Sequence, residues 1–515
     1  MSKQKEPIVT SMEKNNQFCN VEAVTGQLKA LMETVHGMAE QQCAAHEVER
    51  ALWQGVLALG RELMQAFFDG LGDGDEGAVV VLNGGQAVRR LEQRHRRAYQ
   101  SVFGSFILER AVYGTREDQK IEYVPLDARL QLPEDKSSYL LQEWDQALAV
   151  ETPYAQVSAT LERILGFSPP VDSLERMNRK MANAVAEFWD VQPAPPAREA
   201  DELVVATADG KGVPIRRAAD QAPIEDHRPK KGPKPNRKKM ATLGAVYTIE
   251  RHRRTPEEVA EALFQDPQDK PAETKQRPEP QHKRVRASLA RSPDGRTEPA
   301  LETVFGWMAA EIRARDPHHD RPLPCLMDGQ VCLWEAAHRY LPQGNLVPIV
   351  DLLHVTPRLW KAAYLFYPKH SQAAVDFVRD RVLRMLKGEV RSVIRGLRRM
   401  GTTASLRGKK REKLDKICGY FEANEERMRY GEYLAEGYPI ATGVIEGACR
   451  HLVKDRMERA GMRWNLEGAQ AMLDLRSIHI SGQWDEFTAH RIRKETERLY
   501  PQARGQPRPQ LPLVA

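Results

Sequence analysis

The sequence predicts an α+β protein built on a mixed five-stranded sheet, with a mainly helical N-terminal region and an all-helical insertion before the last helix of the core. Three observations carry this. Apolar runs at residues 202–209, 213–215 and 243–249 follow one another with only turns or polar chain between them, the pattern of an antiparallel meander. Two further runs, 324–328 and 347–350, alternate with helical stretches, as in a parallel or mixed continuation of the sheet. Residues 358–437 then show helical periodicity alone.

Taken in order, residues 1–20 are a polar tail and residues 21–71 read as helices. Leu52, Val56, Leu59, Leu63 and Phe67 recur at steps of 4, 3, 4 and 4, one apolar stripe whose simplest use is core packing, with self-association as the alternative. Gly70, Gly72 and Gly74 end it. Residues 102–108 and 121–125 flank the polar stretch 114–119 and suggest a hairpin with a long loop. Within 151–190, two helical stretches joined by Gly166 and residues 167–170 form a candidate helix-turn-helix; its second helix offers Asn178, Arg179, Lys180 and Asn183 to DNA. A helix pair of this kind is also ordinary packing in a helical domain. The Pro/Ala stretch 191–197 closes this 21–195 region.

Beyond it, residues 210–212 make a turn after the 202–209 strand, residues 265–296 read as a surface loop or insertion, and a helix covers 298–314. In the insertion, Leu383, Leu386, Val390, Val393, Leu397 and Met400 put an apolar stripe on one helix. Arg384, Lys387, Arg391, Arg395 and Arg398 line its other side. Residues 481–515 read as a C-terminal tail.

The chain has 515 residues, 77 Lys+Arg against 71 Asp+Glu, and a net charge of +6. That length suits about three domains. Residues 361–436 hold 18 basic and 10 acidic residues, so the rest of the chain carries −2. A second cluster, 228–239, has seven basic residues and no acid, among them Lys230, Lys231, Lys238 and Lys239. Two such clusters favour a polyphosphate partner over solvated faces, because neutralising phosphates releases counterions. No apolar run approaches the roughly 18 residues of a membrane span, and no signal core opens the chain, so a cytoplasmic location is expected. Six cysteines without a C-x-x-C pair exclude a disulfide scaffold and the zinc sites built on that pair. No P-loop is present, so ATP use is not expected.

Asp209 and Asp328 each end a short apolar run and precede glycine. Carboxylates there project from the edge where open α/β sheets place ligands. The alternative is that both are turn or cap residues. Glu446 follows Thr442, a candidate helix cap, with Arg450 and Lys454 at i+4 and i+8 on the same face. Three carboxylates beside cations suit two Mg²⁺ or Mn²⁺ ions and a phosphodiester, since such an ion pair can activate the attacking oxygen and stabilise the leaving one. His354 is either a satisfied core histidine or a site residue, and Trp464 is mainly a core candidate with a secondary stacking role on a base.

Residues 201–217, 322–356 and 424–466 resemble the DDE-class transposases of bacterial insertion sequences, most closely the Kra-type subgroup. The resembling stretches are Ala208-Asp-Gly-Lys-Gly-Val-Pro214, Leu326-Met-Asp-Gly329, residues 427–446 and residues 454–464. The resemblance implies a ribonuclease-H-like core formed by 196–357 and 438–480, with Asp209, Asp328 and Glu446 as the metal-binding catalytic triad and 358–437 as the insertion. Residues 351–354, with Asp351 and His354, look like the Asp/Cys-x-x-His motif of transposases with such insertions. The implied function is binding of the terminal inverted repeats of a mobile element, cleavage, and joining of 3′ ends to target DNA by a homodimer or higher oligomer associated with the nucleoid. A ribonuclease-H-like nuclease without joining and a non-catalytic DNA-binding derivative are the alternatives.

Overall fold

The computed structural model describes residues 21–115, 121–193, 195, 201–216, 238–265, 277–290, 299–441, 443–459 and 462–501. The 1–20 tail, the greater part of the 228–239 cluster including Lys230 and Lys231, and the Thr442 cap lie outside them. The chain divides into two compact units, residues 1–177 with 485–515, and residues 178–484. The first division falls earlier than the 191–197 stretch suggests.

The first unit begins with a helical hairpin, α1 (Val21–Glu40) and α2 (Ala45–Leu71). The strands β1 (Val79–Val81), β2 (Ala87–Arg90), β3 (His95–Ser101), β4 (Gly104–Arg110) and β5 (Tyr113–Gly114) follow. The helices are α3 (Pro125–Leu130), α4 (Tyr139–Ala149), α5 (Tyr154–Leu165), the start of α6 (Val171–Ala182) and, from the C-terminus, α19 (Trp484–Leu499). Three expectations are corrected here. The hairpin joins β3 to β4 through a tight turn, with Ser101 opposite Gly104, whereas Tyr123 only bridges Tyr113. The Leu52–Phe67 stripe is not core: Leu52, Val56, Leu63 and Phe67 are exposed, and the buried face of α2 runs instead through Gly60, Met64 and Phe68. That face meets Phe103, Tyr99, Phe106 and Leu108. The C-terminal segment is a helix held in this unit, since Arg498 pairs with Glu134 at 2.8 Å and the Tyr500 hydroxyl donates to the Leu132 carbonyl at 2.6 Å.

α5 and α6 do form a helix–turn–helix pair, with Gly166 at φ 77° ending α5. Asn178, one of its proposed readers, is buried and cannot reach a base; Asn183 is exposed and Arg179 and Lys180 are half-buried.

The second unit continues with α7 (Val185–Asp190), β6 (Glu202–Pro214), β7 (Lys238–Glu250), α8 (Pro256–Phe264), β8 (Gln281–Leu289), α9 (Ala300–Arg315), β9 (Leu323–Met327), α10 (Val331–Tyr340) and β10 (Leu346–Val350). The insertion comprises α11 (Leu352–Phe366), α12 (Gln372–Leu386), α13 (Val390–Thr403), α14 (Gly408–Ala423) and α15 (Tyr430–Ala435). α16 (Gly443–Ala448), a π-helical stretch Cys449–Lys454, α17 (Asp455–Met457) and α18 (Leu466–Ile480) complete it. The sheet is mixed and five-stranded, in the order β10-β9-β6-β7-β8, antiparallel across β6, β7 and β8 and parallel across β6, β9 and β10.

The expected five strands are present in number but not in identity. Residues 202–214 form one uninterrupted strand, paired with β7 from Glu202 to Pro214, so the turn at 210–212 does not exist. The remaining strand, β8, lies inside the 265–296 stretch read as a loop. Its charged residues are satisfied by distant partners: Arg284 pairs with Glu311 at 2.9 Å, and Arg286 stacks over the Trp189 ring at 4.5 Å. The outer edge of β8 is covered by α18, where Gln470 accepts from Leu289 N–H and donates to the Ala287 carbonyl. Gly244 lets α9 approach β7, since a Cβ there would stand 2.6 Å from Val304 and Met308.

The stripe Leu383–Met400 is buried but spans two helices. α12 ends at Leu386, Gly388 turns at φ 83°, and α13 starts at Val390. Only glycine takes that backbone region without cost.

Candidate active site

Strand register builds the site. Ala208 lies beside Met327, and Met327 beside Val350, in parallel register. The next residue on each chain is an aspartate, so Asp209, Asp328 and Asp351 come level across three neighbouring chains spaced about 4.8 Å apart. Asp351 N–H donates to the Met327 carbonyl at 2.9 Å, which holds the third aspartate in line. Asp209 is thus not at the end of its strand: it sits where the parallel partner stops while the antiparallel partner β7 continues.

Each carboxylate is held by local backbone. Asp209 Oδ1 accepts from Gly210 N–H at 2.7 Å, Asp328 Oδ1 from Gln330 N–H at 2.8 Å, and Asp351 Oδ1 from Leu353 N–H at 2.8 Å as the cap of α11. The turn-and-cap alternative therefore describes one oxygen of each residue. Asp351 Oδ2 is buried and has no hydrogen-bond partner among the described residues. His354 Nδ1 stands 3.8 Å from it, an ion-pair distance when the ring is protonated. The Asp351 carboxylate, followed by Asp209 and Asp328, raises the His354 pKa against the opposing effect of burial. His354 is thus a half-buried ring beside the aspartates rather than a core histidine.

The Glu446 helix reaches the same place. Cys449, one turn beyond Glu446, donates its thiol to Asp209 Oδ2 at 3.3 Å. Burial, then Asp209, pushes that thiol pKa up. Asp209 pairs with Leu243 on β7, so the adjacent Gly244, which faces α9, points to the opposite side of the sheet. The Glu446 helix and α9 therefore flank the sheet from opposite faces. Leu352 N–H donates to the Ile440 carbonyl at 2.9 Å, anchoring the approach to the Glu446 helix beside Asp351.

The helix is not a plain α-helix. From Cys449 to Lys454 it is π-helical, so i+4 and i+8 no longer define one face; Glu446, Arg450 and Lys454 are nevertheless all exposed. Arg476 of α18, fully buried, donates to the Leu452 carbonyl at 3.0 Å and to the His451 carbonyl, satisfying acceptors in the widened turn. Arg450 lies 3.7 Å from Asp455. Trp464, half-buried, is tied into the fold: its ring nitrogen donates to the Met457 carbonyl, its N–H to the Pro214 carbonyl, and Arg456 covers its ring at 5.0 Å.

The insertion closes the site from the β10 side. The Tyr430 and Tyr433 hydroxyls donate to the carbonyls of Val350 and Pro348, at 2.8 and 3.0 Å. Tyr420 of α14 covers Gly329, where an added Cβ would collide with its ring, and Arg358 lies 3.5 Å over that ring. Burial raises the Tyr420 pKa. Sequence reasoning missed Cys449 and Tyr420. Cys449 had a signal, one helical turn from Glu446; Tyr420 had none, because its position depends on the path of the insertion.

The basic stripe spans α12 and α13 rather than one helix, and its arginines have side-chain partners. Arg384 pairs with Glu389, Arg391 with Glu425 and Arg398 with Glu422, while Arg395 donates to Ser392. Lys238 pairs with Glu458 at 2.6 Å, and Lys239 is half-buried.

Among the described residues, no three acidic, histidine or cysteine side chains stand together as a ready-made ligand group, and no helix is long and apolar enough to cross a membrane. None of the described cysteines is in a disulfide. No known family model matches the chain, and no curated protein matches it.

Proposed function

We propose that the chain is a DDE-class DNA transposase, similar to those of Kra-type insertion sequences, built on a ribonuclease-H-like core. The observation that carries this reading is the level placement of Asp209 and Asp328 on adjacent parallel strands with Cys449, one turn from Glu446, against Asp209. Three carboxylates are the hard oxygen donors that Mg²⁺ or Mn²⁺ prefers, and Asp351 Oδ2, which has no hydrogen bond among the described residues, keeps a fourth carboxylate beside them. Asp209 and Asp328 would hold the ions from the fixed sheet, and Glu446, on an exposed helix face, would swing in to complete the set. Two divalent ions bound there supply an activated attacking oxygen and charge stabilisation for the leaving one. Lys454, exposed and without an ion-pair partner among the described residues, offers charge to a phosphate beside Glu446.

The reading includes binding of terminal inverted repeats, joining of the freed 3′ ends to target DNA, and a homodimer or higher oligomer on DNA in the nucleoid. Its test uses Asp209→Asn, Asp328→Asn and Glu446→Gln with Mg²⁺ and DNA carrying the element's ends. Each variant is expected to lose cleavage and strand transfer by at least about a thousandfold while keeping DNA affinity, since each amide keeps the shape and removes a ligand charge. Near wild-type cleavage by any one variant removes that residue from the set. Cleavage without joining by the wild-type chain makes it a nuclease.

A further inference from the structure

α14 joins the candidate active site to a row of lysines. Tyr420 covers Gly329 beside Asp328. Counting back from Tyr420 at steps of 4, 3 and 4 gives Lys416, Lys413 and Lys409, so all four side chains share one face of the helix. The three lysines are exposed, and none has an ion-pair or hydrogen-bond partner among the described residues. At 1.5 Å per residue, Lys409 stands about 16 Å along the axis from Tyr420, the span of about five base pairs of B-form DNA.

This arrangement works against the helix that carries it. Like charges at i,i+4 and i,i+3 repel. The first turn holds cations and no acid, at the end where the macrodipole favours anions, and Arg407 at the cap position gives no side-chain cap bond. The arginines of α12 and α13 are in the opposite state, three of them paired with Glu389, Glu425 and Glu422. Two acids lie within the span of the row, both to one side of it: Glu412, and Asp415, which is paired with Arg411 at 3.1 Å.

We propose that the Lys409–Lys413–Lys416 face of α14 is a track for the phosphodiester backbone of duplex DNA, placing phosphates about two to five base pairs along the axis from Tyr420 beside Asp328. The proposal rests on the reading of Asp328 as part of a DNA-cleaving site. Lysine suits this role as a point charge that follows phosphates without reading bases. The track supplies register and affinity, while the carboxylates supply the chemistry.

The test is fluorescence anisotropy of the full chain with a fluorescein-labelled 30-base-pair duplex of arbitrary sequence, titrated with KCl in EDTA. Three proteins are compared with wild type: the triple variant Lys409→Gln/Lys413→Gln/Lys416→Gln, the triple variant Arg384→Gln/Arg391→Gln/Arg398→Gln, and Asp328→Asn. The lysine variant is expected to bind at least about tenfold more weakly at low salt, with the log–log salt slope reduced by about 0.9 for each phosphate that is no longer neutralised. The arginine variant is expected to change the slope much less, and Asp328→Asn, assayed separately for nicking of the same duplex with Mg²⁺ in place of EDTA, to lose cleavage. Circular dichroism melting confirms that each variant is folded. If the lysine variant matches wild type in affinity and slope, the track is overturned and the cleavage reading stands. Failure of the wild-type chain to bind the duplex overturns both. Retained cleavage by Asp328→Asn, with the lysine effect present, overturns the cleavage reading alone.

Discussion

Two apolar stripes with almost the same spacing meet opposite fates. In the insertion, Leu386, Val390, Val393 and Leu397 are at most 3 % exposed. In the N-terminal hairpin, Leu52, Val56, Leu63 and Phe67 are 39–51 % exposed. Periodicity therefore reports that a helix is two-sided, but not which side is covered. In α2 the covered side includes Gly60, chosen for closeness rather than hydrophobicity: a Cβ there would stand 2.5 Å from the Phe103 ring. In α12 and α13 the stripe stays covered because Gly388 bends the chain between them.

The strongest way to sharpen this contrast is truncation of the buried stripe. Leu397→Ala is expected to lower the unfolding free energy by about 2–5 kcal/mol, through reduced burial and the cavity left behind. Urea denaturation followed by circular dichroism measures it. A loss below about 1 kcal/mol would mean that the insertion packs more loosely than its burial indicates.

A second substitution reverses the intuition that adding apolar surface helps. Gly60→Leu makes α2 more hydrophobic and a better helix former, yet it is expected to destabilise by about 1–3 kcal/mol, because the new side chain meets the Phe103 ring. The same urea titration checks the sign. A gain in stability would show that Phe103 swings away at little cost.

The legible parts of the molecule are those whose partners lie close in sequence or whose chemistry is local. The strands ending at Met327 and Val350 are short apolar runs bounded by turn residues, and both stand where the pattern puts them. Asp209 and Asp328 are legible as carboxylates beside glycine, and Asp351 through its resemblance to the Asp/Cys-x-x-His motif; that the three stand level is visible only through strand register. β8 is hidden because its arginines resemble a loop until Glu311 and Trp189, both remote in sequence, are seen to take them up. The partners of the α12–α13 arginines are hidden in the same way, since Glu422 and Glu425 lie a full helix away. The lysines of α14 lie opposite its buried stripe of Leu414, Ile417, Cys418 and Phe421 and read as an ordinary solvated face; their meaning comes from Tyr420 at the far end of the same face.

The smallest expected effect tests whether the exposed stripe is exposed in solution. Leu63 is 51 % exposed, so Leu63→Gln removes little buried area and should change stability by less than about 0.5 kcal/mol, against the several expected for Leu397→Ala. The comparison is made at two protein concentrations about a hundredfold apart, enough for mass action to register. Concentration-independent curves, with Leu63→Gln overlaying wild type, keep the two stripes in opposite classes. A loss of about 1 kcal/mol or more that appears only at the higher concentration would mean that another copy covers the hairpin, because association stabilises the folded state by mass action. The periodicity of α2 would then mark an interface, and the two stripes would differ in which chain supplies the cover.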